Sequence, residues 1–167
     1  MQKLANGEFV SLGKIESSLR NSPFVENICV CNDRFSNHLT AVISPNPRAL
    51  LELGGRLGKS ADASFEELCS DEAVKSAVFQ SLKQLAISEL GLKPKEVPVA
   101  ITLVKETWDQ DNGLLTAAMK MKRKQVNDFY QAEIQTMFEQ LAQTAPATSN
   151  SSDQQQQQTS TPNVAQQ

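Results

Sequence analysis

The chain has 167 residues and a mass of 18.3 kDa, which fits one domain with a tail and excludes a large two-domain enzyme within this chain. Its formal net charge of -3 gives no long-range attraction for nucleic acid or anionic lipid. The apolar stretches are too short for a membrane span, and the first residues lack the apolar core of a signal peptide.

The first predicted elements are a short strand or hairpin arm and a helix. Residues 7–12 have the strand-like pattern, and the helix follows over residues 13–20, with Ile15 and Leu19 on one face. Ser11 is a candidate N-cap for this helix. Residues 25–31 and 38–43 are then rich in β-formers and are separated by a polar loop, a pattern typical of an antiparallel pair of strands.

The remaining predicted elements are four helices and a third strand. A Ser64-x-x-Glu67 capping box opens one of the helices, and Gly91 ends the longest one. In chain order the elements are helices over about 47–57, from 64 and over 71–90, a strand over 97–104, and a helix over about 123–141. The apolar stripe of the last helix is formed by Val126, Phe129, Tyr130, Ile134, Met137, Phe138 and Leu141.

These elements predict an α+β fold with a small central sheet of about three strands, an N-terminal hairpin arm and helices packed on both faces. The folded domain is expected over residues 1–143. Residues 144–167 are dominated by Ser, Thr, Pro, Asn and Gln and are expected to form a disordered tail, because they have almost no apolar side chains to bury.

Few residues have the types and spacing of a catalytic or metal site. His38 is the only histidine, which removes most triad and zinc schemes, and we interpret it as a surface or core residue. Cys29 and Cys31 lie two residues apart in a predicted strand, and we expect them to point to opposite faces. Together with Cys69 they predict neither a disulfide framework nor a metal site.

The most unusual segment is residues 111–124, a turn and an apolar run that end in four cations, Lys120, Lys122, Arg123 and Lys124. One interpretation is a helix whose first turn is solvated by charge, although cations at a helix N-terminus oppose the helix dipole. The other is that one lysine of the group meets an anion supplied from elsewhere. The sequence has no Gly-rich phosphate-binding loop, so another segment would have to hold a nucleotide.

Several motifs in the correct order resemble one family. Residues 3–16, KLANGEFVSLGKIE, are similar to the K-L-x-x-G-E-[FY]-V-S-L-x-x-[IV]-E segment of long-chain acyl-CoA synthetases, in the adenylate-forming superfamily. The resemblance extends over about residues 3–138 and places this chain in the C-terminal domain of such an enzyme. The further matching segments are 22–30, 42–46, 64–69, 113–116 and 120–123.

The resemblance implies a ligase reaction in two steps. A long-chain fatty acid and ATP, with Mg2+, give an acyl-adenylate and diphosphate, and CoA then displaces AMP to give acyl-CoA. The C-terminal domain is the lid that changes orientation between the steps. Lys120 is the implied catalytic lysine of adenylation, with Lys122 as the second candidate for that role.

The resemblance also implies cofactor contacts. Gly7, Glu8, Lys122 and Arg123 are the expected residues on the CoA or nucleotide side. For Gly7, the spacing fits a plain turn glycine equally well. We expect Glu16, which closes the first motif, to be a solvated helix residue.

The implied partner is the large N-terminal adenylating domain, which carries the ATP and acyl sites and is expected to precede this sequence together with its hinge aspartate. Without it, this chain alone is expected to be inactive. The implied location is the cytoplasmic side of the endoplasmic reticulum, mitochondrial outer membrane or peroxisome, or the cytosol if the domain stands alone. A stand-alone interaction module or an inactive fragment is the alternative to a ligase lid; binding of nucleic acid is not expected.

Overall fold

The computed structural model describes residues 1–144 and begins with a small hairpin and a helix. Strand β1 (Gln2–Lys3) pairs antiparallel with β2 (Phe9–Val10), and helix α1 (Leu12–Leu19) follows. Ser11 caps α1, since its side chain accepts a hydrogen bond from the Lys14 backbone N–H, as predicted. The predicted tail lies outside the described residues, apart from Thr144.

The central sheet has three strands in the order β3-β4-β5. The strands are β3 (Val25–Asn32), β4 (Leu39–Pro45) and β5 (Ala100–Leu103); β3 and β4 are antiparallel, and β4 and β5 are parallel. The antiparallel pair is confirmed. The third strand is shorter than the predicted 97–104, because Pro98 has no N–H to donate to a ladder and pairing begins after it.

Three helices connect β4 to the region before β5. They are α2 (Pro47–Arg56), α3 (Phe65–Ser70) and α4 (Glu72–Gln84). Ser64 and Glu67 form the predicted capping box of α3. The predicted helix over 71–90 is observed as α4 continued by a π-helical segment, Leu85–Glu89, and it ends before Gly91 as predicted.

Two segments, α5 (Arg123–Phe129) and α6 (Gln131–Thr144), replace the single predicted helix over 123–141. The break falls at Tyr130, where the backbone leaves helical geometry. It allows α5 to contact β3 while α6 lies against β4 and β5. Phe129 is 54% exposed and is therefore not part of the buried stripe, whereas Tyr130 is buried.

Two apolar cores lie on the opposite faces of the sheet, which confirms the α+β fold with helices on both faces. Ile28 and Val30 contribute to the core that contains α1 and α4, and Cys29 and Cys31 contribute to the core that contains α5 and α6. The expected opposite orientation of the two cysteines is wrong, because residues two apart in a strand share a face.

Among the described helices, none combines the length and apolar character that a bilayer span requires.

Candidate functional site

Lys120 lies in a tight turn that is closed by backbone hydrogen bonds. Leu115 and Met121 face each other in an isolated antiparallel bridge. Inside it, the Thr116 N–H donates to the Lys120 carbonyl at 2.7 Å, and the Lys120 N–H donates to Thr116 Oγ1 at 3.1 Å. The Lys120 side chain is exposed. We call residues 115–121 the lysine turn; its backbone is held while its ammonium group faces solvent.

The chain that enters the lysine turn is anchored in the core that contains α5 and α6, called the second core below. Leu114 and Leu115 are almost fully buried there. The Asn112 side chain organises the preceding loop, since its Nδ2 donates to the Thr107 carbonyl at 2.7 Å and its Oδ1 accepts from the Leu114 N–H at 3.3 Å. The Lys122 N–H then donates to the Leu114 carbonyl at 2.9 Å, which joins the two ends of the turn.

Arg123 follows the lysine turn and is held by two other elements. One guanidinium nitrogen lies 2.7 Å from Glu16 Oε2, and the other donates to the Val30 carbonyl at 3.0 Å. The second Glu16 oxygen, Oε1, accepts from the Val30 N–H at 2.8 Å. Glu16 on α1 and Arg123 on α5 therefore satisfy both backbone groups of Val30 at the outer edge of β3, as a neighbouring strand would.

Glu16 is only 6% exposed, so its interpretation as a solvated helix residue is wrong. The sequence held a signal for its burial. Leu12, Ile15, Glu16 and Leu19 have the i, i+3, i+4, i+7 spacing of one helix face. A carboxylate on such a face needs a partner, since burial of an unpaired charge is costly. That partner, Arg123, is distant in sequence.

The pKa of Arg123 reflects both burial and pairing. Burial lowers it, but the hydrogen bond and the charge of Glu16 raise it, and the net direction is upward. The guanidinium is therefore charged at every accessible pH.

The cation cluster divides into paired and unpaired members. Arg123 is paired with Glu16, and Lys124 forms an exposed pair with Asp128 at 2.7 Å. Within residues 1–144, the ammonium groups of Lys120 and Lys122 have no ion-pair partner. These two lysines can therefore meet an external anion without first breaking an internal ion pair.

Gly7 lies in the turn of the N-terminal hairpin, with a φ of 87°. An added Cβ would approach only Lys3 Cε, at 3.9 Å, so the backbone conformation and not crowding favours glycine there. The neighbouring Glu8 carboxylate accepts from Asn6 and from Lys95, and these bonds lower the pKa of Glu8. Gly7 and Glu8 are both exposed.

The two groups of predicted site residues are held by different parts of the domain. The hairpin of Gly7 and Glu8 is bonded to Lys95 and, through Ala5, to the loop at Ser36. Lys120, Lys122 and Arg123 instead belong to one continuous segment anchored to α1 and β3. Of the residues described, no group of three or more His, Cys, Asp or Glu side chains is placed to hold a metal ion.

The relatives found by sequence comparison include long-chain acyl-CoA synthetases. The chain is 38% identical over 137 residues to Long chain acyl-CoA synthetase 8 of Arabidopsis thaliana, which covers 81% of this chain and 19% of the relative. It is 32% identical to Long-chain-fatty-acid--CoA ligase 5 of Rattus norvegicus, over 83% of this chain and 20% of that protein. The chain thus spans about a fifth of the length of these relatives. No family model matches it.

Similar solved structures include adenylation domains. The A-PCP didomain of a carboxylic acid reductase from Segniliparus rugosus, in complex with AMP, matches with a TM-score of 0.69 and 34% identity, over 86% of this chain and 18% of that one. The adenylation domain of a carboxylate reductase from Mycobacterium chelonae matches with a TM-score of 0.69 and 27% identity, over 83% and 19% of the two chains. Sequence and fold therefore agree with the motif resemblance: the chain is homologous to a segment of long-chain acyl-CoA synthetases and to part of the adenylation domains of the adenylate-forming superfamily.

Proposed function

We propose that residues 1–143 are the lid domain of a long-chain fatty acid–CoA ligase, and that Lys120 is its adenylation lysine. The observation that carries the proposal is the lysine turn, which fixes the backbone of Lys120 and leaves its ammonium group exposed and without an ion-pair partner among residues 1–144. The family resemblance of the surrounding motif supports the same residue.

The proposed chemistry needs a positive charge at a defined place. A fatty acid carboxylate oxygen attacks the α-phosphorus of ATP, the bond to the bridging oxygen breaks, and diphosphate leaves. An ammonium group held between the carboxylate and the α-phosphate orients the two reactants and offsets the negative charge of the transition state. Mg2+ enters with ATP as part of the substrate, and the nucleotide and acyl sites belong to the partner N-terminal domain.

Lys122 is the second candidate, but its surroundings favour Lys120. Its N–H is bonded to the Leu114 carbonyl, it occupies the N-cap position of α5, and it is only partly exposed. Lys120, in contrast, is exposed and lies next to the apex of the turn, residues 117–119. We therefore place Lys122 beside the reacting groups as a phosphate contact, with Lys120 at the reacting centre.

For the second half-reaction we propose that the hairpin of Gly7 and Glu8 faces CoA. The positive φ and the exposure of Gly7 let a ligand approach the backbone closely. The paired carboxylate of Glu8 holds the turn in shape through Asn6 and Lys95. The proposed location is the cytoplasmic side of an intracellular membrane, as for the family.

The test is a chimeric ligase in which this chain replaces the matching segment of the Arabidopsis relative. Lys120→Ala should lower acyl-adenylate formation by at least about a hundredfold and leave thioester formation from preformed acyl-adenylate within about twofold of wild type. Lys124→Ala is the matched control, because Lys124 lies in the same segment and is exposed and paired with Asp128. Normal adenylation by the Lys120→Ala protein would rule out the proposed role.

The alternative is a stand-alone interaction module or an inactive fragment. Phe9, Phe35 and Phe129 are each more than half exposed. Exposed apolar side chains of this size can contact either a separate partner protein or the large domain of a ligase. Mixing the chain with the rest of the Arabidopsis relative distinguishes the two. Recovery of acyl-CoA synthesis supports the ligase lid, and a stable chain that neither binds that protein nor restores activity supports the alternative.

A further inference from the structure

We propose that Glu16 is a positioning residue for Lys120: its carboxylate fixes Arg123, and Arg123 fixes the end of the lysine turn. This inference rests on the proposed function, because it gives Glu16 a part in the adenylation half-reaction. Glu16 lies on the first helix, and its partner is 107 residues later in the chain.

The carboxylate of Glu16 has no freedom to move without loss of a contact. Its side chain is 8% exposed, one oxygen accepts from the Val30 N–H, and the other accepts from Arg123. Arg123 also donates to the Val30 carbonyl. A shift of Glu16 would leave a buried amide without a partner and a partly buried guanidinium without its counter-ion, and unpaired groups of this kind are strongly unfavourable.

Arg123 is linked to Lys120 by a segment that has little freedom of its own. Only Met121 and Lys122 lie between them. Met121 is bridged to Leu115, and the Lys122 N–H is bonded to the Leu114 carbonyl. The entering side of the turn is anchored in the second core through Leu114 and Leu115, so the anchor at Arg123 fixes the leaving side.

The Glu16–Arg123 ion pair is better explained by its effect on the position of the lysine turn than by a contribution to the stability of the fold. Replacement of a buried ion pair by apolar residues is often neutral or stabilising, so the pair need not be there to hold the fold together. A guanidinium with two fixed acceptors, by contrast, has a defined position and orientation. Such an anchor suits a lysine that must reach a reacting centre, where a displacement of about 1 Å can lower a rate a hundredfold.

The first test uses the chimeric ligase with Glu16→Gln, which keeps an acceptor for the Val30 N–H but removes the charge that holds Arg123. We expect kcat for adenylation to fall about 10- to 100-fold, the KM for fatty acid to change little, and thioester formation from preformed acyl-adenylate to stay normal. In a Lys120→Ala background, Glu16→Gln should add less than about a twofold further loss, because the two residues act through one group.

The control is Glu66→Gln, which removes a 2.6 Å exposed ion pair with Lys105 and should leave both half-reactions unchanged. Equal losses in the two half-reactions, or losses that multiply with those of Lys120→Ala, would show that Glu16 has a structural role only. If Glu16→Gln fails to fold, Arg123→Lys replaces it in the test. This variant keeps the positive charge but cannot contact Glu16 and the Val30 carbonyl at the same time, so adenylation should slow while thioester formation stays normal.

A second test does not depend on ligase activity. Trypsin cleavage of the full chain after Lys120 should be several-fold faster in the Glu16→Gln protein than in wild type or Glu66→Gln, because the released anchor lets the turn open. Equal cleavage rates would overturn the positioning role even if Lys120 proves catalytic. If the Glu16→Gln protein is cleaved faster but the Lys120→Ala ligase adenylates normally, Glu16 does anchor the turn and the proposed function of Lys120 is wrong.

Discussion

Beside Lys120, the backbone of Met119 has a φ of 61°, a left-handed conformation that side chains other than glycine rarely adopt. The residue is 64% exposed, so packing does not compensate for the conformation. The 2.9 Å bond from its N–H to the Thr116 carbonyl and the closure of the turn hold it there. Backbone strain of this kind is characteristic of functional turns, and here it adjoins the proposed catalytic lysine.

Substitution of Met119 tests this conformation. We expect Met119→Val to destabilise the chain by about 1 kcal/mol or more, because a β-branched side chain tolerates the left-handed region poorly. Met119→Gly should equal or exceed the wild type in stability, since glycine adopts this conformation freely. The free energy of unfolding in urea measures both variants. Equal stability of the valine and glycine proteins would contradict a left-handed Met119.

The sequence predicts the surroundings of some individual residues but not of others. The exposed position of Lys120 follows from a turn that ends in cations. The role of Ser11 as the N-cap of α1 follows from the general preference for small polar side chains at helix starts. Burial of Glu16 could be inferred from its helix face, but its pairing with Arg123 could not, because no local pattern joins residues so far apart.

Among the elements, the break between α5 and α6 shows where pattern reasoning fails. No Gly or Pro occurs in residues 123–141, and the apolar spacing is that of one helix. The position of the break is determined by tertiary contacts. Trp108 Nε1 donates to the Tyr130 hydroxyl at 3.0 Å, and this hydroxyl donates to Glu106 at 3.1 Å. The break allows Tyr130 to make these contacts while the two segments follow different strands.

The capping box of α3 gives a prediction for an element that was located correctly. Ser64 Oγ accepts from the Glu67 N–H at 3.1 Å, and the Glu67 carboxylate accepts from the Ser64 N–H at 2.7 Å. In a helix of six residues, these bonds satisfy a large share of the free N–H groups. Ser64→Ala should therefore lower the free energy of unfolding by about 1 kcal/mol.

Ser17→Ala is the matched control for this change. Ser17 is exposed within α1, where alanine is at least as favourable as serine. The stability of the Ser17→Ala protein should therefore equal or slightly exceed that of wild type. Urea unfolding followed by circular dichroism compares the two proteins. A loss of equal size in both variants would mean that the cap contributes nothing specific.

Over the whole domain, the two cores explain why the architecture was predictable although several boundaries were not. Buried residues alternate between the two faces along β3 and β4, with Ile28 and Ile43 facing one core and Cys29 and Val42 the other. A sheet covered on both faces requires helices on both sides, and the order of elements supplies them. The relative placement of the hairpin and the lysine turn depends on contacts distant in sequence, which periodicity does not report.

The buried titratable groups of both cores predict a loss of stability in alkali. Burial raises the pKa of Cys69 from 9.0 to about 11 and also raises that of Tyr130, while the hydrogen bond with Cys29 and burial raise that of Cys31. These pKa values are higher in the folded state, so the unfolded chain binds fewer protons above about pH 9. The free energy of unfolding therefore falls as the pH rises from about 9 towards 11, and is fully retained below that range.

Cys69→Ala separates the contribution of one thiol. The variant should be less stable than wild type near neutral pH, because a buried side chain is truncated, but should lose less stability between about pH 8 and pH 10.5. Val74→Ala is the control: it truncates a buried side chain of the same core without a titratable group, so its deficit should be constant over that range. Urea midpoints at several pH values measure both. If the Cys69→Ala protein loses as much stability as wild type, deprotonation of Cys69 is not a cause of the alkaline destabilisation.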